Sequence, residues 1–227
     1  MLTISGTNEW KAAHPGAVIG FLEVSAVENN HASSALLAAR QRETESRLRA
    51  MYKDFSRSDF LSLPAMAAYQ KYYKKFSKTY HVLLQLESIV LKGKSLPNVS
   101  PLVDANFTAE VETLALTAGH DVAKLNGPIL MDVARAGDQF TQMGGAVKNI
   151  LVGDMVMRDS QGLCCSIIHG QDARSPITAE TTHALYVVYA PAEVALEAVE
   201  SQLQKIEDNI RLFSPTAVTE QCRLLSA

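Results

Sequence analysis

Two short stretches concentrate the polar side chains able to do chemistry. The first sets His120 beside Asp121 in "LTAGHD" (116–121), with Asn106 and Thr108 just upstream. The second, "IIHGQDARSPIT" (167–178), holds His169, Gly170, Gln171, Asp172, Arg174, Ser175 and Thr178. Histidine exchanges its proton near neutral pH, so each stretch could supply a base or orient a water. A dense polar loop after an apolar run such as "LCCSII" is where scaffolds commonly build sites. A plainer reading stands beside this one. Asp172 and Arg174 form a turn and an ion pair, and His120 caps a helix end just before a strand.

Basic residues make a third feature. Lys71, Lys74, Lys75 and Lys78 recur at helical spacing, and Lys92 and Lys94 extend the series. They form either a solvated face or a surface that tracks phosphates. The formal net charge is −3, so no global basic field exists and nucleic acid would have to use this local patch.

Standard catalytic signatures are missing. There is no Gly-x-Ser-x-Gly elbow, no phosphate loop, no dinucleotide fingerprint and no His-Glu-x-x-His. Glu110 and Glu112 are two apart, so a helix would point them to different faces. Cys164, Cys165 and Cys222 have no metal-ligand spacing, and no metal or cofactor is expected. An odd cysteine count with no basic leader suggests free thiols and a cytoplasmic protein. The run "AVIGFLEV" is too short to span a bilayer, so no membrane partner is expected.

The elements that must position these groups follow from periodicity. "MLTIS" and "AVIGFLEVSAV" read as strands around a short helix at Trp10. Helices are predicted over 33–55, over 62–80 with Pro64 in the first turn, over 81–94, and over 101–116. In the second, Met66, Tyr69, Tyr73 and Phe76 make an inward stripe opposite the lysines. "GPILMDVAR", "DMVMRD", "LCCSIIHG" and "HALYVVYA" read as strands. Leu196, Val199, Leu203, Ile206, Ile210 and Phe213 mark an amphipathic helix closed by Pro215, and "AVTEQCRLL" a last strand. With 227 residues, no linker and no repeat, the expectation is one α+β domain over 1–227. Mixed and antiparallel sheets would form a layered core flanked by helices.

Residues 74–128 and 153–191 resemble the tRNA-editing domain of the phenylalanyl-tRNA synthetase beta chain, and more closely its free-standing relatives. The ordered series "LVDANF", "LTAGHD", "GQDARS" and "IT..TT" carries the likeness, which covers about residues 70–192. The resemblance implies trans-acting hydrolysis of mischarged aminoacyl-tRNA, with tRNA or aminoacyl-tRNA as partner and no oligomeric state implied. It also shows departures. Asn106 and Phe107 stand where the synthetase has Thr-Asn, Ala118 where it has a pocket histidine, and Val187 where it has a glutamate.

On that reading His120 or His169 orients the water, and Asp172 or Asp121 holds the substrate ammonium. Gly170 gives an amide donor, and Arg174 meets a phosphate or the terminal adenosine. Asn106, Gln171 and Thr178 complete the substrate contacts, and the lysines steer the tRNA body. Two other functions compete with it. A non-catalytic tRNA- or RNA-binding module would use the lysines without turnover. A small-molecule amino-acid ester or amide hydrolase would use the pocket without the lysines.

Overall fold

A computed structural model describes residues 1–29 and 35–227, so Ser33 and Ser34, the start of the first long predicted helix, lie outside the described residues. The amino-terminal apolar runs form β1 (Ile4–Gly6) and β2 (Val18–Ser25), and α1 (Asn8–Ala13) between them buries Trp10. Thr7 starts α1 by accepting the Trp10 N–H on its hydroxyl.

A run of helices follows: α2 (Ala35–Met51), α3 (Arg57–Ser62), α4 (Pro64–Lys74), α5 (His81–Val90) and α6 (Pro101–Thr113). Pro64 and Pro101 occupy first turns, where the missing N–H has no helical partner to lose. The aromatic stripe of α4 is buried as its spacing predicts, through Met66, Tyr69 and Tyr73. The predicted helix over 62–80 is nevertheless too long. α4 stops at Lys74 and Ser77 adopts a φ of 56°, which leaves Phe76 half-buried outside the helix. Likewise α6 ends at Thr113 because Leu114 turns left-handed, at a φ of 62°.

The remaining chain forms β3 (Thr117–Asp121), β4 (Ile129–Val133), β5 (Gln139–Thr141), β6 (Val147–Asn149), β7 (Met155–Asp159), β8 (Gly162–Ser166), β9 (Gly170–Gln171), β10 (Ala184–Ala190), α7 (Leu196–Arg211) and β11 (Val218–Ser226). "LTAGHD" is therefore a strand, not a connection after a helix. "LCCSIIHG" is not one strand: β8 ends at Ser166, and β9 begins after a turn.

The strands make an α+β fold with three sheets. One runs β1-β4-β7-β8-β9, parallel at β1–β4 and antiparallel elsewhere. A second runs β11-β2-β10-β3 and is antiparallel throughout. β5 and β6 form a separate hairpin. One continuous core joins the two large sheets, with Phe21, Leu22 and Val187 from one and Met131, Met155 and Met157 from the other. α7 lays Val199, Leu203, Ile206 and Ile210 on this core. Its close approach requires Gly20 in β2, where a Cβ would meet Val199 at 2.7 Å. Among the described residues no helix is long and apolar enough to cross a membrane.

Candidate functional site

β3 is the edge of its sheet, and its register decides which groups face outward. Leu116 accepts from Tyr189 N–H, and Val122 donates to the His183 carbonyl. These bonds bracket the β3–β10 register, so Ala118 and His120 bond to β10. Thr117, Gly119 and Asp121 then aim their amides away from it. The Thr117 N–H donates to Glu110 at 2.9 Å, and the Asp121 N–H to the Ser175 carbonyl at 2.9 Å. Gly119 lies between them and lines a cavity of about 500 Å³. A Cβ at Gly119 would come within 2.7 Å of Ile177 Cδ1, so the Ile177 side chain would have to shift to admit one.

The cavity draws on both predicted clusters. Asn106 reaches it from α6, and Gly170 and Gln171 from β9. Val103, Phe107, Leu116, Ile177 and Tyr186 give it apolar walls, and Met143 reaches it from the β5–β6 hairpin. Asn106 is held by a donation to the Thr117 carbonyl at 3.4 Å and by accepting from Gln202 at 3.2 Å. Gly170 has a φ of 78°, a backbone state that its lack of a side chain permits.

The other predicted residues stand behind the wall. His120 is fully buried, with Nδ1 2.8 Å from the Ser175 hydroxyl and 3.1 Å from Gln171 Nε2. The Ser175 hydroxyl in turn donates to Asp172 at 2.7 Å. Three residue types of a catalytic triad thus meet, but serine sits in the middle and its proton goes to the carboxylate. A nucleophilic relay needs the histidine in that place. Burial lowers the His120 pKa to about 3, and the Arg174 charge adds to the shift. His120 is therefore neutral and holds the 170–176 loop against β3. Gln171 links that network to the cavity and also donates to the Ser175 carbonyl at 2.8 Å.

Arg174 is fully engaged. It grips Asp159 with two nitrogens, at 2.6 and 3.1 Å, and reaches Asp172 at 3.1 Å and Gln161 at 2.8 Å. The plainer expectation, an ion pair and a turn, describes this pair. Asp121 accepts from Ala123 N–H and the Thr181 hydroxyl, both at 3.0 Å, and the Thr178 N–H donates to Thr181 at 2.9 Å. Both serve the 178–181 turn. His169 lends backbone: its N–H donates to Ser166 at 3.0 Å and its carbonyl accepts from Gln142 at 2.8 Å. Thr108 bonds its own helix, at the Asp104 carbonyl.

The histidine on the cavity wall is His81, the first residue of α5. The Tyr73 hydroxyl donates to the Ile167 carbonyl at 2.8 Å, so its oxygen accepts from His81 Nδ1 at 3.3 Å. That fixes the lone pair on Nε2. Burial lowers the His81 pKa, which keeps the ring neutral at pH 7. Gln85, one turn on, shares the wall. Cys165 lines it too, but burial pushes that thiol up to about 12, so it stays protonated.

The lysines divide. Lys71, Lys74 and Lys75 line a second cavity of about 510 Å³ with Leu61, Ala67 and Gln70. Lys71 is paired with Glu193. Lys78 and Lys148 lie close enough to His169 to lower its pKa further, after burial. Lys92 and Lys94 follow the far end of α5, about 15 Å of helix away from His81.

Residues 65–214 match the family described as the B3/4 domain. The chain belongs to the B3/4 domain family. Every cavity residue, from His81 to Tyr189, falls inside the matched part of this B3/4 domain. β1, β2 and β11 fall outside it. A crystal structure of an N-terminal fragment of the phenylalanyl-tRNA synthetase beta-subunit from Pyrococcus horikoshii is similar at 10% identity and a TM-score of 0.47. The likeness covers 97% of this chain and 54% of that one, so the chain spans about half the fragment's length. No curated protein matches the chain. Ala118 and Val187, two of the four positions named above as departures, are directly paired across β3 and β10. Together they make that part of the B3/4 domain apolar.

Proposed function

We propose that this B3/4 domain hydrolyses the ester bond of aminoacyl-tRNA in trans. One observation carries the reading: a cavity of about 500 Å³ is lined both by His81, whose Nδ1 is occupied by Tyr73, and by the edge residue Gly119, whose amide points away from β10. The acyl side chain enters the apolar space beside Phe107 and Tyr186. Gly119 N–H donates to the carbonyl oxygen as it gains charge. His81 Nε2 takes a proton from a water that attacks the carbonyl carbon. The imidazolium then protonates the departing ribose oxygen, and the neighbouring ribose hydroxyl assists. Asn106, Gly170 and Gln171 orient the acyl group. His120, Asp172, Ser175 and Arg174 act as positioning residues, because none of them reaches the cavity.

Deacylation of a panel of aminoacyl-tRNAs tests this. His81→Ala should lower kcat by about 100-fold or more, the usual contribution of a positioned base. Hydrolysis of no panel member overturns the proposal. Equal turnover of free amino-acid esters would replace it with a small-molecule hydrolase.

A further inference from the structure

The cavity carries no formal charge on its walls. Among the described residues that line it there is no Asp, Glu, Lys or Arg. Nearby carboxylates are turned to other partners. Asp172 is taken by Ser175 and Arg174, and Asp154 by the hydroxyls of Tyr72 and Ser166. Glu110 takes the Thr117 amide, and burial keeps it protonated up to about pH 8. An ammonium or carboxylate drawn into this space would lose its water and meet no opposite charge, which is strongly unfavourable.

The walls do offer neutral hydrogen-bonding groups. Gln85, which lines the cavity, has a buried Oε1 without a partner, whereas the hydroxyl of Tyr189 is engaged with the Cys165 thiol. Gly119, whose amide points away from β10, lines the same cavity. One acceptor and one donor complement an amide N–H and a carbonyl, and they match neither a cation nor an anion. Turning the Gln85 amide over would exchange acceptor for donor and leave it neutral.

We propose that the cavity takes an acyl group whose α-nitrogen is itself acylated, so that the preferred ligand is an N-acyl-amino-acid ester and not a free aminoacyl ester. The inference rests on reading the cavity as an acyl site, but its test reads binding and not turnover. The amide N–H meets Gln85, a carbonyl meets Gly119, and the side chain fills the apolar remainder. The cavity volume, about 500 Å³, lies within the range of small-molecule sites.

Calorimetric titration of the intact chain at pH 6 tests it with three probes that share one side chain. These are neutral N-acetyl-L-phenylalaninamide, cationic L-phenylalaninamide and anionic N-acetyl-L-phenylalanine. The neutral probe should bind at least about tenfold more tightly than either ion, a difference of about 1.4 kcal/mol. Gln85→Leu should remove most of that preference, and Ala118→Leu should weaken all three probes by filling the space. Equal or tighter binding of the cationic probe overturns the inference, as does binding of none. Binding of the neutral probe by a chain that deacylates no tRNA would sustain it and remove the catalytic reading. Faster deacylation of free than of N-acetylated aminoacyl-tRNA would do the reverse.

Discussion

His120 and Glu110 are both driven to neutrality by burial, from opposite directions, and their effects on stability oppose each other. His120 falls from 6.5 to about 3 in the folded chain, while Glu110 rises from 4.5 to about 8. Below pH 6.5 the unfolded chain binds a histidine proton that the folded chain refuses, so stability falls on acidification down to about pH 3. Above pH 4.5 the unfolded chain releases a glutamate proton that the folded chain keeps, so stability also falls as pH rises towards about 8. His120→Gln should flatten the acid limb, and Glu110→Gln should flatten the decline between pH 5 and 8. Urea denaturation at pH 4, 6 and 8 checks both. The Glu110 change should recover about 1–3 kcal/mol at pH 8, because each tenfold difference in proton affinity between the folded and unfolded chain is worth about 1.4 kcal/mol. Unchanged slopes would refute it. Asn106, Gly170 and Gln171 were legible as cavity residues because polar groups cluster around them in sequence. His81 was not, since it opens the apolar helix "HVLLQLESIV" and looks like core. Its role depends on which ring nitrogen Tyr73 occupies, which no spacing encodes.

At the scale of elements, the sequence-visible parts are those with local signals. Pro64, Pro101 and the α7 stripe place their helices, and the alternation in "HALYVVYA" places β10. β3 is hidden because its partner lies more than sixty residues on, at Ala184–Val188. A five-residue strand containing glycine has no periodicity of its own to read. The loop between β9 and Pro176 depends on the same distant pairing, and Arg174 ties it to Asp159 at the end of β7. Arg174→Ala leaves the buried Asp159 carboxylate without its cation, yet Arg174 itself is 30% exposed, so solvent softens the loss. We expect a destabilisation of about 1–3 kcal/mol, only partly restored by Arg174→Lys, because lysine cannot reproduce the two-nitrogen grip on Asp159. Hydrogen exchange gives the sharper readout. The Asp172 and Ser175 amides, bonded to the Cys164 carbonyl and the Asp172 carboxylate, should exchange faster while those of β10 keep their protection. Uniform loosening across β10 would show that the loop is not the element Arg174 holds.

Across the whole molecule, charge is unevenly placed. The net value of −3 disfavours nucleic acid in general, yet Lys71, Lys74, Lys75 and Lys78 cluster at and just beyond the end of α4. Lys74 and Lys75 line the second cavity, and Lys78 and Lys148 act on His169, next to the cavity residue Gly170. Lys71 contributes less because Glu193 neutralises it. If this track holds a tRNA backbone, each phosphate it neutralises adds about 0.7–0.9 to the slope of log affinity against log salt. Reversing Lys74, Lys75 and Lys78 to glutamate should therefore flatten that slope by about 2–3 and weaken binding most at low salt. His81→Ala should leave the slope untouched while removing hydrolysis, which separates capture of the tRNA body from chemistry at its end. Reversing Lys92 and Lys94 should change little, since they stand beyond the far end of α5. Filter binding across a salt series measures all of these. An unaltered slope in the triple variant would place the tRNA on another face.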